Sequence, residues 1–97
     1  MDGMPKMQAG ESVDIPVQVM ALTDRDGRTT PIWFRLEASD HQVLRYHIRK
    51  TVSRSEKNYV GIREKQFICI VQTGELEHTI ELRCNTETQR WRIVQLL

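Results

Sequence analysis

The sequence predicts an all-β fold, a six-stranded antiparallel meander forming a small barrel, and three observations lead there. Apolar residues recur at every second position in most segments, turn-forming pairs such as Asp26-Gly27 separate those segments, and β-branched and aromatic side chains concentrate within them. Alternation alone leaves open whether the barrel closes. Ninety-seven residues amount to one domain, long enough to fold without disulfides or metals.

Residues 1–14 show neither helical nor strand periodicity and read as a mobile N-terminal tail, which leaves residues 15–97 as the folded domain. The first strand is DIPVQVMAL, where Ile15, Val17, Val19 and Ala21 alternate with Pro16, Gln18 and Met20. TDRDGR follows as a turn: Asp24 caps it through its side chain, and Gly27 supplies the positive φ that the loop needs. In TTPIWFRLE, Ile32, Phe34 and Leu36 alternate with Trp33, Arg35 and Glu37. Pro31, lacking an N–H, marks an edge or a bulge.

Farther along, KQFICIVQT sets Phe67, Cys69 and Val71 on one face, and HTIELRC sets Ile80, Leu82 and Cys84 on one face. A loop around GELE joins them, and pairing Thr73 with His78 places Val71 opposite Ile80, Cys69 opposite Leu82 and Phe67 opposite Cys84. A last hairpin through NTETQ brings Trp91 and Ile93 to the same core and leaves Arg90, Arg92 and Glu81 toward water. The predicted core is Ile15, Val17, Val19, Phe34, Leu36, Phe67, Cys69, Ile80, Leu82, Trp91 and Ile93. Both cysteines sit among apolar or strand-forming neighbours, as buried free thiols do.

The stretch HQVLRYHIRK fits two periods. Capped by Ser39 or Asp40, it places Val43, Leu44, His47, Ile48, Thr51 and Val52 at helical spacing. As a strand, it points Leu44, Tyr46, Ile48 and Val52 one way and Val43, Arg45, His47, Arg49 and Thr51 the other. The surrounding antiparallel hairpins favour a strand from His41 to Ser53 that bends to close the meander.

Pro16, Val19, Asp26, Gly27, Pro31, Phe34, Phe67, Cys69, Arg90 and Trp91 together resemble a family of small single-domain bacterial all-β proteins. Its pattern is a Pro-x-x-Val strand, an Asp-Gly turn, a Pro-x-x-Phe strand, an aromatic-x-Cys strand and a closing Arg-Trp strand. The resemblance spans Ile15 to about Val94 and implies the fold and a strand at His41–Ser53. It implies no activity, so function rests on the residues themselves.

Charge is the most informative of these. Residues 1–44 hold four Lys/Arg and seven Asp/Glu, residues 45–65 hold seven and two, and residues 66–97 hold three and four, in a chain of net charge +1. The basic middle predicts a binding face of Arg45, His47 and Arg49, extended by Arg54 and Arg63 in the following loop, with Tyr59 as a stacking surface. Single-stranded nucleic acid is one partner that such a face would suit. The near-neutral chain as a whole argues against dedicated nucleic-acid binding. Trp33, on the side of its strand opposite Phe34, is the candidate anchor for a protein partner or a homodimer.

No catalytic residue, metal or cofactor is assigned. His41, His47, His78, Cys69 and Cys84 lack metal-ligand spacing. Asp24-Arg25-Asp26-Gly27 lacks the closing acid of a calcium loop. Glu75, Glu77, His78 and Glu81 cluster at a charged hairpin rather than in a sheltered pocket. With no run of about 18 apolar residues and no secretory leader, the expected location is the cytoplasm and no membrane partner is expected. A non-catalytic interaction module is the expectation that remains.

Overall fold

The computed structural model describes Gly10 and residues 12–97. The expected N-terminal tail therefore lies largely outside the described residues, and the first strand begins at Ser12. Six strands follow in order: β1 (Ser12–Thr23), β2 (Thr29–Glu37), β3 (Val43–Tyr59), β4 (Ile62–Thr73), β5 (Leu76–Asn85) and β6 (Trp91–Leu96). Each pairs antiparallel with its neighbour in sequence, and β1 also pairs with β6, so the hydrogen bonding runs in a ring. Val43–Lys50 of HQVLRYHIRK belong to β3, as their context predicts, while His41 and Gln42 lie in the turn before it, where His41 takes a φ of 66°.

The first turn forms through the residues that its sequence singles out. The Asp24 carboxylate accepts the backbone N–H groups of Asp26 and Arg28, both at 2.9 Å, and Gly27 takes a φ of 87°. Pro31 sits at a bulge, since Met20 pairs with Trp33 but Ala21 pairs with Pro31, which leaves Ile32 as the extra residue.

Phe34, Leu36, Phe67, Cys69, Ile80, Leu82 and Ile93 are buried as expected. Tyr46, Val71, Cys84 and Leu96 join them, while Ile15, Val17, Val19 and Trp91 are partly buried against them. Burial pushes the Cys69 thiol up to about 11. The Tyr46 ring packs on Phe34 with centroids 5.2 Å apart, yet its buried hydroxyl has no hydrogen-bond partner among the described residues.

Three expectations are corrected. Thr73 pairs with Leu76 across a two-residue turn, not with His78, so Cys69 faces Ile80 and Phe67 faces Leu82. The error is two residues, one full period of the pleat, which is why the correct side chains still point inward. The presumed loop after Ser53 is strand: β3 continues to Tyr59, and Val60 and Gly61 turn the chain into β4 with φ of 48° and 79°. Positive φ at both central residues is the geometry of a tight hairpin, and Val60, 97% exposed, holds it without the glycine or asparagine usually found there.

The third correction concerns faces. Ile48 pairs with Val71, Lys50 with Ile70, Thr51 with Cys69 and Ser53 with Ile68, so Arg49 and Val52 are both bulged out. Each bulge adds a residue and converts a step of two into a step of three. Ile48, Thr51 and Arg54 therefore face inward together, and Val52, which simple alternation puts on the side of Leu44, Tyr46 and Ile48, is exposed.

Candidate functional site

These bulges separate the residues that the sequence groups into one basic face. Arg45 and His47 share the outer surface with Trp33, because Trp33 pairs with His47 and Arg35 with Arg45. The Arg45 guanidinium lies 4.1 Å from the centre of the half-buried Trp33 ring, in cation–π geometry. Arg35 donates to the Gln18 side chain. Met20 stands across from Trp33, with Leu22 farther along β1 and Ile32 at the bulge, and all three are exposed. The result is an apolar and aromatic patch rimmed by cations.

Arg49 leaves this group by pairing with Glu77. Arg54 leaves it by facing inward, where it donates to the Thr29 carbonyl and, at 3.0 Å, to the Thr30 hydroxyl. Its guanidinium also lies 5.7 Å from the Phe67 ring centre. Arg63 stays exposed at the far end of the β3–β4 hairpin, where its carbonyl accepts the Thr86 N–H at 3.0 Å.

Tyr59 belongs to an ionic network that sequence reasoning misses. Its hydroxyl donates to Glu64 Oε1 at 2.8 Å, and Arg92 Nη2 donates to both Glu64 oxygens at 3.0 and 3.1 Å. Arg83 bridges Glu64 at 3.4 Å and Glu81 at 2.6 Å, and Arg92 reaches Asp14 at 3.5 Å. Five of the six strands contribute. Glu64 and Glu81 are 3% and 5% exposed, so Glu81, expected in water, is buried, and Arg92 is only partly exposed. Burial by itself would raise the Glu64 carboxyl, but the hydrogen bonds from Tyr59, Arg92 and Arg83 and the charge of Arg92 outweigh it and hold the group below its ordinary range. The one available signal was opposite charges on consecutive hairpin strands, which alternation assigns to solvent by default.

The ring is not evenly paired. β2 pairs with β3 only between Trp33–Glu37 and Val43–His47, so the upper part of β3 has β4 on one side and a seam on the other. A cavity of about 320 Å³ occupies this seam, with Thr29 on one wall, Arg54 and Glu56 on the other, and Lys65 and Phe67 behind. Arg54 and Lys65 are partly buried and have no carboxylate within ion-pair distance among the described residues. No family model, curated protein or solved structure matches this chain.

Proposed function

We propose that this protein is a non-catalytic protein-interaction module that engages its partner through the outer face of β1–β3 around Trp33. The observation that carries this reading is Arg45 lying over Trp33 with Met20, Leu22 and Ile32 exposed beside it. A half-buried aromatic held flat by a guanidinium and ringed by apolar side chains resembles the anchors that dominate protein interfaces. Arg35, Arg45 and His47 favour a partner that presents carboxylates at its rim. A two-fold contact between copies would bring Arg35 and Arg45 of both together, which favours a different protein over a homodimer.

The resemblance to small bacterial all-β proteins remains part of this proposal and adds no activity to it. Nucleic-acid binding is the weaker reading, since Arg45, Arg49 and Arg54 serve three different local partners and form no continuous stripe along which a phosphate backbone would run.

The test is a photo-crosslinking side chain placed at Met20, compared with one at the exposed Glu87 far along the chain. A discrete adduct from position 20, absent from position 87 and abolished by Trp33→Ala in a folded protein, is the expected result. Identical adducts from both positions would refute the assigned surface. Titration with single-stranded DNA at low salt should show no saturable binding. Steeply salt-dependent binding that Arg45→Ala with Arg49→Ala weakens would establish the nucleic-acid reading instead.

A further inference from the structure

The seam between β2 and β3 has two properties that belong together. From Ser53 to Tyr59, β3 pairs with β4 alone, so along its other side alternate backbone N–H and C=O groups have no strand partner. Sheet edges of this kind are commonly blunted by bulges, proline or charged side chains. Here both bulges, at Arg49 and Val52, lie before this stretch, and Ser53–Tyr59 has no proline but carries Arg54, Glu56 and Lys57, so its charges select which strand can pair there. The second property is charge: Arg54 and Lys65 line the seam without a carboxylate partner among the described residues. Glu56 lies opposite Lys65 in the ladder, yet the two make no ion pair.

We infer that the seam is a second binding site, distinct from the Trp33 face, which takes an extended acidic peptide segment as an added strand along Ser53–Tyr59. Strand addition draws its affinity from main-chain hydrogen bonds and its selectivity from alternate side chains. A strand laid beside β3 turns every second side chain to the inner side, where Arg54, paired opposite Phe67, stands with Lys65 and with Glu56 opposite it. Carboxylates placed to meet Arg54 and Lys65 give both cations the ion pair that Glu56, on the same wall, does not make. The incoming strand takes over the place where Arg54 now reaches across to Thr29 and Thr30.

A second copy of the chain is the competing occupant. Antiparallel self-pairing centred on Ser55 would set Arg54 against Glu56 of the other copy, and it would appear as a concentration-dependent dimer.

The probe is an eight-residue peptide alternating Glu and Thr, added to the whole protein, with backbone amide exchange followed residue by residue. Alternate amides within Ser53–Tyr59 should exchange about tenfold more slowly or better when the peptide is bound. Arg54→Gln, and separately N-methylation of alternate peptide amides, should each weaken binding by about tenfold or more. The methylated peptide keeps every charge and needs no protein variant, so it separates strand addition from simple attraction. Equal binding of the methylated peptide, protection on another strand, or a dimer that protects Ser53–Tyr59 without peptide would each overturn the inference.

Discussion

Arg92 and Arg54 are both partly buried guanidiniums on the same small barrel, and their surroundings differ in kind. Arg92 meets the buried Glu64 carboxylate, itself held by Tyr59 and Arg83, in a network that spans five strands. Arg54 meets a carbonyl, a hydroxyl and an aromatic ring. The first region uses its charges to hold the strands in register. The second leaves Arg54 and Lys65 without an ion pair among the described residues, beside a length of β3 that β2 does not pair.

The sharpest way to break this contrast is Glu64→Ala. It leaves Arg92 and Arg83 without their central carboxylate and should cost about 3–5 kcal/mol in chemical denaturation. A loss below about 1 kcal/mol would mean that the network behaves as a solvated surface pair. Because the folded protein holds the Glu64 carboxyl below its ordinary range, its contribution is complete above the unfolded value near 4.3 and is lost as pH falls through the folded value. Glu64→Gln should accordingly flatten the acid limb of stability measured from about pH 6 to pH 3.

Trp91→Ala probes the floor beneath the seam, where Trp91 stacks on Phe67 with ring centroids 5.5 Å apart. Since Trp91 is only partly buried, a loss of about 3 kcal/mol is expected, the low end for an aromatic truncation. Arg54→Gln addresses the contrast directly. Without an ionic partner to orphan, it should change stability by only about 1 kcal/mol, the scale of the hydrogen bonds it alters. A cost as large as that of Glu64→Ala would show that Arg54 is structural. Tyr46→Phe is the smallest change and carries the opposite sign: removing a buried hydroxyl that lacks a protein partner should raise stability by about 1 kcal/mol.

How much of this was legible depends on the element. The Asp24 turn, the Pro31 bulge and the inward faces of β4 and β5 follow from local chemistry, because a side chain that caps its own turn and an alternation with a period of two need no knowledge of neighbours. β3 was harder for a specific reason. Its two bulges place Ile48, Thr51 and Arg54 three residues apart, a spacing that imitates a helix and turns Arg54 away from the surface shared by Arg45 and His47. That Trp33 faces outward was legible because it alternates with Phe34. The Glu64 network was not, since carboxylates and guanidiniums on separate strands look like ordinary solvated charges until register brings them together.

The all-β class, the hairpin order and most of the core follow from short-range steric and hydrophobic preferences that each segment carries alone. Tertiary structure decided the rest: the pairing of β1 with β6, the burial of Glu64 and Glu81, and the seam where β2 leaves β3. The physical reason is that strand pairing joins residues far apart in the chain. A bulge or a shift of register costs little locally, yet it determines which charges find a partner and which backbone groups are left without one.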